Sequence, residues 1–201
     1  MKIKLIALSL IVSTGLFNPL KSQSFNTGDH YASLGYGFGN FGNLVAQSIE
    51  NDIDNTNFTF SSFGPLFLKY EYAVDDRFGI GVSFAYLTGS GSWDYDGGNN
   101  TVYQGKVDRL GYNVNLRFNW HFGNHDIIDP YLGIGAGYRF NKWELSSNEP
   151  NFESDLDIPN FFPFGMEFTI GSRFMFSENL GAFVEVGAAR AVFQFGISSR
   201  F

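Results

Sequence analysis

The chain has no cysteine. That excludes a disulfide framework, a thiolate metal site and a lipid-anchored amino-terminal cysteine. After residue 22 there is no apolar run of the roughly 20 residues that a membrane helix requires. Basic residues are scarce, 13 Lys and Arg against 20 Asp and Glu, and nucleic-acid binders need the opposite balance. Histidine occurs three times, as His30, His121 and His125, with no serine spaced to set a nucleophile against a base. No glycine-rich phosphate loop or nucleophile elbow is present. No catalytic residue, metal ligand or cofactor is therefore expected. What the chain has in excess is aromatic and small: 24 Phe, 10 Tyr and 24 Gly in 201 residues.

The amino terminus reads as a secretory signal. Lys2 and Lys4 precede a short apolar stretch from Leu5 to Phe17, and small residues offer cleavage after Ser22 or Ser24. The expected division is a signal peptide over 1–22, or to 24, and one domain over 23–201. Without Lys2, Lys4 and Lys21 the remainder carries ten basic against twenty acidic residues, a net charge of −10.

The rest of the chain alternates. Over the last residues, Phe193, Phe195, Ile197, Ser199 and Phe201 share one face, and Gln194, Gly196, Ser198 and Arg200 share the other. Strands send successive side chains to opposite faces, so this is a strand with one apolar side. Val107–Phe122 is the clearest case. Leu110, Tyr112, Val114, Leu116, Phe118, Trp120 and Phe122 oppose Arg109, Gly111, Asn113, Asn115, Arg117, Asn119 and His121. Similar runs occupy Tyr31–Phe41, Pro65–Val74, Phe78–Leu87, Pro130–Phe140, Phe162–Phe176 and Leu180–Ala188, which makes eight segments. Each approaches the 9–11 residues of a tilted membrane-crossing strand.

Three connections read as long and polar: Gly42–Thr59, Thr88–Gly105 and Asn141–Asn160. Val74–Arg77, Gly123–Asp129 and Phe176–Asn179 read as short. Long extracellular loops alternating with short periplasmic turns put both termini in the periplasm. The last connection, near Ala188–Arg190, breaks this rule by being very short.

Alternation alone does not say which face is inside. A soluble lipocalin-like barrel would bury its apolar face. An eight-stranded interior is just wide enough for side chains to fill. The face rich in Gly, Ala and Ser fits there, and the face of Phe, Tyr, Trp, Leu and Ile suits lipid. On this reading Lys69, Glu71, Arg109, Arg117, His121, Arg139, Glu167, Arg173, Glu185 and Arg200 face the lumen. Buried charges persist when paired, so the leading expectation is a side-chain plug of ion pairs. The alternative is a narrow, weakly anion-preferring channel lined by the surplus arginines.

The long segments are acidic and aromatic, with Glu50, Asp52, Asp54, Trp93, Glu149, Glu153, Asp155 and Asp157 among them. Asp94–Tyr95–Asp96–Gly97 resembles the opening of a calcium loop but lacks its later ligands and closing Glu.

The signal segment, the eight alternating runs, stretches such as LKYEYAVDDRFGIGVSFAYL and the terminal GISSRF together resemble the small outer-membrane β-barrels of Gram-negative bacteria, the OmpX-like and OmpA-barrel type. The resemblance implies an all-β, eight-stranded antiparallel up-and-down transmembrane barrel in the outer membrane. It implies that Phe193, Phe195, Ile197 and Phe201 form an assembly signal read by the barrel-assembly machinery, with periplasmic chaperones as transient partners. Outer-membrane lipids and lipopolysaccharide would surround the barrel, and an extracellular partner would meet the loops. The implied function is non-enzymatic, in envelope integrity or surface interaction. A porin-like passage and a lipid A-modifying enzyme are the alternatives.

Overall fold

The computed structural model describes residues 24–39, 57–98, 101–123, 125–150, 152 and 163–201. Their regular structure is entirely strand: β1 (His30–Phe38), β2 (Thr59–Asp75), β3 (Phe78–Asp96), β4 (Val102–His121), β5 (Ile128–Ser147), β6 (Phe164–Met175), β7 (Leu180–Ala188) and β8 (Phe193–Arg200). Each strand pairs antiparallel with its sequence neighbours, and β1 closes on β8, from Tyr31 opposite Arg200 to Phe38 opposite Phe193. Closure leaves neither β1 nor β8 with an open edge along this seam.

The burial pattern is that of an inverted globule. Leu116 is 74% exposed and Met166 66%, and Phe118, Trp120, Ile134, Phe168, Ile170 and Ile197 also point outward. The buried positions are mainly polar: Lys69, Glu71, Asn113, Asn115, Arg117, Asn119, His121, Asp129, Glu167, Thr169, Arg173, Glu185 and Gln194. A monomer in water does not display a continuous apolar belt around a polar core, and a bilayer requires one. The lipocalin-like arrangement is thereby excluded. Aromatic pairs mark both rims of the belt: Trp120 with Phe122 and His30 with Phe201 at the termini's end, Tyr36 with Phe38 and Tyr112 with Phe140 at the far end.

Two segments expected as loops are strand. Thr88–Asp96 continues β3 and pairs with Val102–Leu110 of β4, so most of the second long connection is a hairpin. Asn141–Ser147 continues β5. The outward residues here, such as Thr88, Ser90 and Ser92, are polar, so hydrophobic alternation stops at the edge of the belt while the strands go on. Asp94 and Asp96 accordingly belong to a strand, facing Gln104 and Val102, and do not open a calcium loop. Most of Gly42–Thr59, residues 151 and 153–160 of the third connection, and the signal segment through residue 23, with the expected cleavage position at Ser22, lie outside the described residues.

The segment before β1 is built into the barrel. Gly28 N–H donates to the Ala73 carbonyl at 2.9 Å, and Ala73 N–H donates to the Asp29 carbonyl at 2.9 Å. In the β2–β3 turn, Asp76 accepts the Thr27 hydroxyl at 2.5 Å and the Thr27 N–H at 2.9 Å, which holds its carboxyl below the usual carboxylate range.

Candidate lumen site

The inward faces of β2, β4, β6 and β7 bring seven of the ten expected charges into one hydrogen-bonded body, which Asp129 of β5 joins. Its first layer centres on Glu185. The Lys69 ammonium lies 2.6 Å from Glu185 Oε2 and also donates to Gln194 Oε1 at 2.7 Å. Arg117 Nη2 lies 2.7 Å from Glu185 Oε1, and its Nη1 lies 3.2 Å from Glu167 Oε2. The Tyr131 hydroxyl donates to Glu185 Oε1 at 2.8 Å. Glu167 also accepts from Asn115 Nδ2 at 2.6 Å and from the Ser83 hydroxyl. The Phe67 and Phe183 rings face the Lys69 ammonium at 5.2 and 5.0 Å, within cation–π range.

The second layer centres on Glu71. Arg173 Nη2 lies 2.7 Å from Glu71 Oε2, and its Nη1 lies 3.4 Å from Asp129 Oδ2. His121 stands between the two acids, Nε2 at 2.8 Å from Glu71 Oε1 and Nδ1 at 2.7 Å from Asp129 Oδ1. Two ionised carboxylates are both satisfied only if both ring nitrogens donate, so this geometry calls for the imidazolium. Asn119 joins the layers, accepting from Arg117 Nε at 2.8 Å and donating to Glu71 Oε1 at 2.7 Å.

Charge balances within this body. Lys69, Arg117, Arg173 and the His121 imidazolium meet Glu71, Asp129, Glu167 and Glu185. Sequence reasoning missed Asp129 by assigning it to a turn before Pro130. Its phase with the inward Tyr131 and Gly133 was the available signal. Glycine makes the room: a Cβ at Gly133 would collide with the Arg117 guanidinium and crowd the Asn119 and Thr169 side-chain oxygens. A cavity among Tyr31, Lys69, Glu71, Arg117 and Glu185 measures about 20 Å³, space for about one water.

The other three expected lumen residues stand apart from this body. Arg200 sits at the termini's end, 3.7 Å from Asp29 Oδ2 and donating to the Glu178 carbonyl at 2.6 Å. Arg109 and Arg139 lie toward the far mouth, beyond an apolar cluster of Phe67, Ala85 and Ala191. Sequence reasoning also missed two closures. At the termini's end Phe25 is buried and stacks on His121 at 3.6 Å between ring centroids. At the far end the short turn between β7 and β8 folds inward, burying Arg190 and Ala191. This gives the short fourth connection a structural role.

Among the described residues no group of acidic, histidine or cysteine side chains is arranged to hold a metal ion. No protein-family model and no curated protein matches the sequence. Solved structures of similar shape include a de novo designed transmembrane β-barrel, with 13% identity, TM-score 0.46, and coverage of 89% of this chain and 99% of that one. Outer membrane protein W of E. coli has 16% identity and TM-score 0.45, covering 88% of this chain and 99% of its own. Ail, the attachment invasion locus protein of Yersinia pestis, has 15% identity and TM-score 0.40, covering 87% and 99%. By its own strand order, closure and outward apolar belt, the chain has the fold of an eight-stranded transmembrane β-barrel of the outer-membrane type.

Proposed function

We propose that this protein is a non-enzymatic integral barrel of the outer membrane whose lumen is plugged by its own side chains. Its work would then lie in envelope integrity or in contacts made by the far-end connections. The observation that carries the plug is the neutral, mutually bonded body of Lys69, Glu71, Arg117, His121, Asp129, Glu167, Arg173 and Glu185 across the interior. Opening a path through it means separating several buried ion pairs at once, which leaves charges uncompensated in the interior. Outer-membrane lipids and lipopolysaccharide are the surroundings that fit the apolar belt, and an extracellular partner would approach the far-end connections.

Planar-bilayer recording tests this reading. The folded parent is expected to give no discrete conductance steps. Arg109→Ala and Arg117→Ala are recorded beside it. Regular, anion-biased steps in the parent, altered by those substitutions, would replace the plug with the channel reading.

Biogenesis belongs to the same proposal. Phe193, Phe195, Ile197 and Phe201 would be the assembly signal for the barrel-assembly machinery after chaperone-guided transit of the periplasm. The outward exposure of all four supports this. Deleting Phe201 is expected to lower outer-membrane yield several-fold, and unchanged yield would remove the role. We place signal cleavage after Ser22 because Ser24 is bonded into the barrel, its carbonyl accepting the Tyr31 hydroxyl at 2.7 Å. An intact mass beginning at Phe25 would contradict that.

A further inference from the structure

Beyond the apolar cluster of Phe67, Ala85 and Ala191, the far mouth has a different electrostatic character. On β4 the inward positions are Arg109, Gly111 and Asn113, and on β5 they face Trp143, Asn141 and Arg139 in turn. The Arg190 side chain comes in from the β7–β8 turn and settles against Gly111, where only the missing Cβ leaves it space. It donates from Nη2 to Asn141 Oδ1 at 2.8 Å. Arg190 is thus set between the Arg109 level and the Arg139 level, and it lies within the electrostatic reach of both. The Arg109 guanidinium rests on the Trp143 ring at 4.8 Å.

No carboxylate among the described residues forms an ion pair with Arg109 or Arg190. The four acids of the central body already have cations. Arg190 is only 6% exposed, and its Nε is buried without a hydrogen-bond partner. Nε and Nη1 of Arg109 are buried and unpartnered as well. Buried donors on like-charged groups, crowded together and unsatisfied, are costly arrangements that persist where a ligand completes them.

We propose that the far mouth of the barrel is a binding site for a phosphate-type oxyanion, held between Arg109 and Arg190. Guanidinium suits a tetrahedral oxyanion because its planar set of N–H donors matches several oxygens at once, which a spherical halide does not offer. Trp143 fixes one fork by stacking, and Asn141 fixes the other by a hydrogen bond. Both donors are therefore oriented before the anion arrives. The phosphate group could be free in solution or carried on a lipid headgroup, and the chemistry of recognition is the same.

The test is isothermal titration of the full folded protein in an uncharged detergent. Inorganic phosphate is the probe in one arm and short-chain phosphatidylglycerol in the other. Saturable binding of inorganic phosphate assigns a free anion. Saturation by the lipid alone assigns a headgroup. Arg109→Gln and Arg190→Gln are each expected to weaken binding about tenfold through loss of a charge-assisted hydrogen bond. Lys106→Gln, an exposed cation paired with Asp108 outside the barrel, should leave it unchanged. Arg109→Lys keeps the charge but not the fork. It serves as the second variant if a Gln substitution prevents folding, and it should also bind more weakly. No saturation in either arm up to about 10 mM, weaker than the usual range of specific affinities, would overturn the site. So would undiminished binding by the folded arginine variants.

Discussion

Glu185→Gln should cost the folded barrel about 3–5 kcal/mol, the loss expected when a buried ion pair loses one partner. The side chain accepts from Lys69, Arg117 and the Tyr131 hydroxyl, and it is nearly inaccessible to solvent. An amide of the same shape keeps the packing and removes the charge. Lys69 then retains the neutral Gln194 oxygen and two aromatic rings, and Arg117 retains Glu167 as its one carboxylate beside the neutral Asn119 and Thr169 oxygens. Two cations are left short of charge in the interior. Guanidinium unfolding of the protein in lipid vesicles measures the effect, with the midpoint moving and the slope constant. Adding Lys69→Met should recover part of the loss, because it removes one stranded charge, and the shortfall from additivity measures the coupling. A loss below about 1 kcal/mol would mean that water reaches the pair and that the body does not hold the interior shut.

Leu116→Lys is expected to cost about 2–4 kcal/mol in a bilayer, the range for a cation near the midplane of a barrel's lipid face. Leu116 is 74% exposed, at the middle of the outward apolar run from Leu110 to Phe122. In a water-soluble protein a substitution so exposed would change stability by about 0.5 kcal/mol or less. The same residue thus has two very different expected penalties, depending only on its solvent. Thr88→Lys lies on the outward face beyond the belt and should cost about 0–1 kcal/mol. Vesicle unfolding of both variants gives the depth profile. A negligible penalty at Leu116 would contradict the lipid-facing belt.

The fold was legible because a membrane barrel writes its two solvents into every second residue. Arg109 through Phe122 separates cleanly into two rows, and the glycines told which row faced inward. The rule reads hydrophobicity, however, and so it ended the strands where the belt ends. From Thr88 to Ser92 the outward residues of β3 are polar and the inward ones are glycine, and a paired strand looked like a loop. Partners inside the lumen were out of reach for another reason. Glu71 and Arg173 are 102 residues apart in sequence, and their meeting depends on barrel closure and stagger, which alternation does not encode. Asp129 was hidden behind Pro130. Arg190 and Phe25 enter from a turn and from the segment before β1, where no periodicity guides the eye.

The seam between β1 and β8 bears on the order in which the molecule forms. The β3–β4 hairpin closes across a turn of a few residues, whereas the seam joins positions such as Ala32 and Ser199 that lie almost the whole chain apart. Chain entropy makes local hairpins early and distant pairings late. The final contacts are those of His30 with Phe201, which exchange backbone hydrogen bonds at 3.1 and 3.0 Å and stack their rings. Until they zip, the polar backbone of both seam strands is open to whatever strand edge lies nearby. The interval between the arrival of β8 and that closure is when another chain's edge has its chance to pair.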